Sequence, residues 1–437
     1  MTTSYYNHSK ASTDSESIQE ARSHLWPTYA PPDSPVFSHG KGTELYAEDG
    51  QVYLDFISGI AVTNLGHCHP ELVKVVQEQA EKLWHLSNIS RIPQAETLSK
   101  KLCDASFADA VFFSNSGAEA VEAGIKAIRG YHAKKNQKYK NRIIGFRGSF
   151  HGRTLGTIAA AGNPAHCQNF VPTDTGFDQV EWGNLSQLED AITEKTAGIL
   201  IEPIQGEGGI RPVEQEFLTA LRELCNRNDL LLMFDEVQCG MGRSGYLFAH
   251  QKYNIQPDIL ASAKGLGGGF PVGACLATRE VSDAMSIGTH GSTFGGNPLA
   301  MAVANKVLDI VLAEDFLPSV IEKSEKFKRL LDSLCARYPT VVANVYGEGL
   351  MLGVECVLPN TEILSLLRDG NLLVGKAGGN MIRLLPPLTV SEEEIDRAVL
   401  IMEECFKKAS DGEQHLQESL STANSQFHSA ENGGSQK

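Results

Sequence analysis

Lys264 follows the apolar run Ile259–Ala263 and precedes Gly265-Leu266-Gly267-Gly268-Gly269. A lysine drawn partly out of water there has a lowered pKa, and its neutral amine could attack a carbonyl cofactor to form a Schiff base. The glycines would leave room for a bulky group and let the backbone approach it. The same pattern fits a solvated lysine in a flexible turn. Asp235 lies 29 residues earlier, at the end of LLLMF. A strand-end carboxylate could keep the pyridinium nitrogen of pyridoxal phosphate protonated, making the ring an electron sink; it could equally be a helix cap. Gln238, three residues on, could hydrogen-bond the ring hydroxyl.

Asn115-Ser116-Gly117-Ala118-Glu119-Ala120 reads as a helix start. Free N–H groups and the positive dipole end suit a phosphate, and Ser116 could add its hydroxyl; a plain N-cap reads the same way. In GSFHGRT, Phe150 could stack on a cofactor ring and Arg153 could fork onto a substrate carboxylate, against a core Phe and a surface Arg. Ser292 and Thr293 in HGSTFGGNP suit a phosphate or any turn. His67-Cys68-His69 looks metal-like but has no further ligand at useful spacing, so no metal site is expected. There is no Walker A loop, HExxH or GxSxG, and GLGGGF misses the dinucleotide fingerprint at its last glycine.

These residues need a scaffold. Apolar runs at Arg142–Phe146, Gly198–Ile201, Leu230–Phe234 and Ile259–Ala263 alternate with helical stripes, such as Leu72, Val76, Ala80 and Leu83 within Glu71–Trp84. Ala118–His132 and the stripe Phe217, Leu218, Leu221, Leu224 and Cys225 read as further helices. Such alternation predicts a mainly parallel sheet covered on both faces, with ligands outside the carboxyl ends of its strands. Glu202, Asp235 and Lys264 each follow such a run. Residues 311–409 look like part of a smaller α+β domain, joined by an N-terminal segment in which Asp49-Gly50 marks a hairpin.

The length of 437 residues calls for at least two domains. A net charge of −15 argues against a nucleic-acid partner. Nine cysteines without a CxxC pair suggest a reducing compartment. No run approaches the roughly 20 apolar residues of a membrane span, and the first residues lack a secretory pattern, so the cytoplasm is expected. The expected layout is a flexible extension over 1–24, small-domain parts at 25–74 and 311–409, a large domain at 75–310 and a disordered tail over 410–437.

From about Tyr29 to Lys407 the chain resembles the class III (ornithine-type) aminotransferases. The motifs are LDFISGIAVTNLGHCHP, FFSNSGAEAVEAGIKAIR, SFHGRTLGTIAA, ILIEPIQGEGGI, LLLMFDEVQCGMGRSG, ASAKGLGGGFPVGA, HGSTFGGNPLA and GEGLMLGVE. The resemblance implies an α/β fold of fold-type I: a large seven-stranded, mainly parallel sheet domain and a smaller α+β domain built from both chain ends. It implies pyridoxal phosphate on Lys264, with Asp235 at the ring nitrogen, Gln238 at the ring oxygen, and Phe150 and Val237 on the two ring faces. Ser116, Gly117 and Ala118 would hold the phosphate, and Glu236 would lie in the cofactor-binding segment. Thr293 would reach the cofactor of a second subunit in a homodimer. MIRLLPPLTV points to the branch that moves the δ-amino group of N2-acetyl-L-ornithine to 2-oxoglutarate, in arginine biosynthesis. Arg153 and Ser292 would then meet that donor, and Arg383 the carboxylate of glutamate or 2-oxoglutarate, masked in turn by Glu207. Ser90 stands where relatives often carry tyrosine at the substrate entrance. Ornithine, succinylornithine, succinyldiaminopimelate and 4-aminobutyrate stay open as donors, as does a same-fold aminomutase.

Overall fold

The computed structural model describes residues 24–26, 28–29, 35–172 and 174–432, with backbone alone over 413–432. The polar extension expected over 1–24 lies, but for His24, outside the described residues.

Seven apolar segments form one sheet: β1 (Ala110–Ser114), β2 (Arg142–Phe146), β3 (Phe177–Val180), β4 (Thr196–Ile201), β5 (Leu231–Asp235), β6 (Ile259–Ser262) and β7 (Gly273–Ala277). Their spatial order is β1-β7-β6-β5-β4-β2-β3. Every residue of β4, β5, β6 and β7 is buried, which is why these strands read as continuous apolar runs and not as alternations. Helix α1 (Gly117–Lys134) covers one face, packing Ala120, Val121 and Ile128 with Met233 and Ile259. A helix at Gln215–Arg227 covers the other, with Phe217, Leu221 and Leu224 among Ile199, Leu232 and Phe234.

Strand β7 departs from the parallel pattern, running antiparallel to both β6 and β1. Only ten residues separate Ser262 from Gly273, too few for the crossover of a dozen or more that a parallel return needs. The chain therefore turns back, and the start of β7 lies at the edge where the parallel strands end.

The smaller α+β part uses both chain ends. Strands Phe37–Lys41, Glu44–Ala47 and Val52–Asp55 join Leu372–Leu373 in a four-stranded sheet. The hairpin turns at Gly50, whose φ of 88° suits glycine. A second four-stranded sheet holds Val342–Glu348, Met351–Cys356, Met381–Leu384 and Gly375–Ala377. Leu54 and Phe56 from the N-terminal segment are buried in one core with Phe327, Ile382 and Phe406. Phe56 and Phe327 meet edge to face at 5.7 Å.

Two helices end differently from their sequence pattern. The helix expected over 71–84 is Pro70–Ala80. The Trp84 indole donates to Ala80 O, and the Gln79 amide donates to Leu83 O. These side chains satisfy carbonyls near its end and let the chain leave the axis. The last helix, Glu392–Asn432, runs past residue 410 into the segment that the sequence pattern left outside the folded part. Among the described residues no helix is long and apolar enough to cross a membrane.

Candidate active site

A cavity of about 310 Å³ opens at the carboxyl ends of the parallel strands. It is lined from successive strand ends: Asn115 to Ala118 after β1, Phe150 and His151 after β2, Glu202 after β4, Asp235, Val237 and Gln238 around the end of β5, and Lys264 after β6. Because β7 is reversed, Gly269 to Val272 leading into it form the remaining wall. Residues as far apart in the chain as Val62 and Val272 thus share one space, for the reason that governs open α/β sheets generally.

Asp235 is buried. Its Oδ2 accepts from His151 Nδ1 at 2.7 Å, and Oδ1 accepts the Val237 N–H at 3.0 Å. Burial pulls the His151 pKa down, but the hydrogen bond and charge of Asp235, with Glu202 beyond, outweigh it and hold the imidazole above its ordinary value. Each oxygen of Asp235 retains a lone pair for a further donor. Glu202 is pushed up to about 7, by burial first and by the Asp235 charge next, against the pull of His151.

Lys264 sits in a single turn of 3-10 helix with φ of 43°, a left-handed conformation that a non-glycine residue adopts at a cost. Burial and then the Arg383 charge lower its pKa to about 8, despite Asp235, Glu207 and Glu202. No side-chain hydrogen bond contributes to that balance, so the ammonium is held among charges without a fixed partner. With that pKa a minority of the amine is neutral near physiological pH, a far larger fraction than for an ordinary lysine, and that fraction is nucleophilic.

Helix α1 points its N-terminus into the cavity. Ser116 is its N-cap: the hydroxyl accepts from Glu119 N–H at 3.3 Å and donates to Glu119 Oε2 at 3.1 Å. The hydroxyl expected to meet a phosphate is thus occupied in capping, and the open donors are the first backbone N–H groups, at Gly117 and Ala118. A Cβ on Gly117 would come within 2.7 Å of Val237 Cγ1, so only glycine lets the helix start lie against Val237. Phe150, Val237, Asp235, Lys264 and this helix start frame a space suited to a phosphorylated pyridine, and the donor and acceptor set fits pyridoxal phosphate.

Arg383, on the second small sheet, is buried and bonds the cavity-lining Gln238 from behind the wall. Its Nη1 donates to Glu207 Oε1 at 2.6 Å and to Gln238 Oε1 at 3.2 Å. Gln238 therefore turns its carbonyl to Arg383, which leaves its NH2 for an oxygen in the cavity. Arg153 is exposed, with its guanidinium 5.4 Å from the centre of the Phe150 ring. The two arginines stand in contrast: one buried and paired, the other open.

Ser292 is anchored outside the cavity lining. Its Oγ accepts from Asn115 Nδ2 at 3.2 Å and from Gly295 N–H at 2.9 Å, while its carbonyl accepts from Asn88 Nδ2. Thr293 is exposed and does not line the cavity of its own chain. Glu236 does not join the site. Its carboxylate accepts from Ala249 N–H, His250 N–H and His250 Nδ1 and turns into the protein. Neighbouring residues at a strand end point to opposite sides, so Asp235 in the cavity places Glu236 behind it. That alternation was readable in the sequence. His151 and Glu202 are cavity residues that the sequence reading gave no role, although Glu202 ends an apolar run as Asp235 does.

The chain matches the family model described as aminotransferase class-III over residues 28–406. It is 54% identical over 364 residues to an acetylornithine aminotransferase of Mesorhizobium japonicum, covering 83% of this chain and 91% of the relative. The fold superposes on the N-acetylornithine aminotransferase of Stenotrophomonas maltophilia K279a with a TM-score of 0.78 at 34% identity, over 90% of this chain and 100% of the other. For the ornithine aminotransferase of Toxoplasma gondii ME49 the values are 0.87 and 29%, over 91% and 96%. The strand-end cavity and these similarities agree: the chain belongs to the class III aminotransferases and is a pyridoxal-phosphate-dependent transaminase.

Proposed function

We propose that the enzyme transfers the δ-amino group of N2-acetyl-L-ornithine to 2-oxoglutarate, giving N-acetyl-L-glutamate 5-semialdehyde and L-glutamate in arginine biosynthesis. The observation that carries this reading is the placing of a lowered-pKa lysine with two differently held arginines, Arg153 open beside Phe150 and Arg383 closed by Glu207. An ω-amine donor bearing an α-carboxylate and a dicarboxylate acceptor need two carboxylate readers that are not both engaged at once. The relatives named acetylornithine aminotransferase, at 52 to 54% identity, support the choice of donor.

Lys264 would hold pyridoxal phosphate through its amine, Asp235 would serve the ring nitrogen, Gln238 the ring oxygen, Phe150 and Val237 the two faces, and the Gly117 and Ala118 N–H groups the phosphate. When bound, the cofactor supplies an electron sink for the carbanion formed beside the transferred nitrogen. Once the substrate's amine has displaced it from the cofactor, the freed Lys264 amine would take the proton from the substrate's amine-bearing carbon, as general base and then acid. Arg153 forks onto the donor's α-carboxylate, with Ser292 nearby. Glu207 occupies Arg383 while the donor reacts and yields it to 2-oxoglutarate in the second half of a ping-pong cycle. The enzyme works in the cytoplasm as a homodimer in which Thr293 serves the partner's cofactor. Exposed Trp84, Ile89 and Phe294 near Thr293 support a covered surface there.

A donor panel with 2-oxoglutarate tests the reading. Acetylornithine should give the highest kcat/KM among acetylornithine, ornithine, succinylornithine and 4-aminobutyrate. Another donor in first place overturns it, and turnover without any 2-oxoglutarate would instead indicate an aminomutase.

A further inference from the structure

Glu202 lies in the wall of the cavity, almost wholly buried, and has no part in the chemistry above. Its oxygens divide their work. Oε2 accepts the Phe150 N–H at 3.2 Å, and Oε1 accepts the Gly206 N–H at 3.3 Å. Phe150 belongs to the turn that presents Arg153, and Gly206 immediately precedes Glu207, which closes Arg383. The neighbouring Gln205 laces the same two segments, its Nε2 donating to Arg147 O at 3.0 Å and Ser149 Oγ at 3.1 Å. At Gly206 a Cβ would lie 2.7 Å from Gln238 Cδ, so this loop residue is held through its backbone, the N–H by Glu202 and the carbonyl by the Gly209 and Ile210 N–H groups.

A buried carboxyl is a costly clamp, because desolvation penalises its charge. A glutamine of the same size would be cheaper but would accept at one oxygen and present NH2 to the other N–H donor. Only a carboxylate offers a separate acceptor oxygen to each of the two N–H groups. His151 and Asp235 face Glu202 most strongly, and its charge is felt at Arg211, Cys239 and Lys264.

We propose that Glu202 is a positioning residue that couples the donor side of the site to the acceptor side, by tying the turn of Phe150 and Arg153 to the loop of Glu207. When an acceptor carboxylate displaces Glu207 from Arg383, the change in the Gly206 segment is carried through Glu202 to Phe150. This rests on the reading of Arg153 and Arg383 as donor and acceptor carboxylate sites.

The test is a double-mutant cycle of Glu202→Gln and Glu207→Ala on the holoenzyme, each half-reaction followed separately. Glu202→Gln alone should raise KM for acetylornithine and for 2-oxoglutarate about tenfold each, as expected for one lost charged hydrogen bond, with bound cofactor unchanged by visible absorbance. In the Glu207→Ala background its effect on 2-oxoglutarate should shrink to within about twofold, while its effect on acetylornithine persists. Equal effects in both backgrounds, or no effect on either KM, overturn the coupling.

Hydrogen exchange of the holoenzyme with glutarate, a non-reacting dicarboxylate, gives a second readout. Glutarate should alter protection at 204–208 and at 147–153 in the parent protein, but only at 204–208 in Glu202→Gln. A change at both segments in the variant overturns the proposal. If Glu202→Gln does not fold, Glu202→Asp, which keeps two acceptor oxygens on a shorter reach, carries the same measurements with the same outcomes. A parent enzyme without 2-oxoglutarate-dependent turnover overturns the substrate reading and the coupling together. A competent parent with an additive cycle overturns the coupling alone.

Discussion

The edge of the large sheet and the small sheet that carries Arg383 contribute to the site in unlike ways. At the large sheet, the functional groups stand at the carboxyl ends of the strands or within five residues past them, and Asp235 and His151 are joined by a short buried hydrogen bond. The small part sends in a single buried arginine, held by the partly exposed Glu207 and by Gln238. Rigid strand ends suit a cofactor that must be gripped the same way in every turnover. An arginine closed by a displaceable carboxylate suits a site that meets two substrates in alternation.

The comparison breaks first at Lys264. Lys264→Ala should abolish the visible absorption of the enzyme-bound cofactor linkage and lower turnover by about a thousandfold or more. Retained activity in a spectrophotometric assay would remove the large-sheet edge from the chemistry altogether. Next come the arginines. Arg383→Ala should raise KM for 2-oxoglutarate about a hundredfold and Arg153→Ala that for acetylornithine by a similar factor, each sparing cofactor binding. Stopped-flow half-reactions separate them, and equal damage to both halves by either variant would merge the two regions.

A smaller effect concerns charge. In the cofactor-free protein the Lys264 pKa is about 8, below the ordinary 10.5, so its burial costs stability below pH 8 and the cost fades as pH rises toward 10.5. Lys264→Met should therefore be more stable than the parent at pH 7, by about 3 kcal/mol, and lose that advantage as the pH reaches 10.5. Denaturant unfolding at the two pH values checks the sign. Smallest is Ser116→Ala, expected to cost about 1 kcal/mol in unfolding free energy because the hydroxyl caps α1. Weaker cofactor binding without any loss of stability would give that hydroxyl back to the phosphate.

Some of the site could be read directly from the chain. An apolar run that stops at a polar residue marks a strand end, which is how Asp235 and Lys264 stand out, and Asn115-Ser116-Gly117 marks a helix start by its residue types. The His151 to Asp235 bond joins residues 84 apart, and nothing local announces it. The Ser116 hydroxyl looked available for a phosphate until its bonds to Glu119 were seen. Glu236 was grouped with its neighbour although strand alternation already set it on the opposite side.

By itself the sequence determined the periodic elements, the strand-end positions of the reactive groups and the family, because these depend on residue types over short windows. Tertiary structure alone decided the reversed β7, the partnering of Asp235 with His151 and the pairing of Glu236 with His250 away from the cavity. Those depend on which distant segments pack together, and on burial that shifts charge only once the chain is folded.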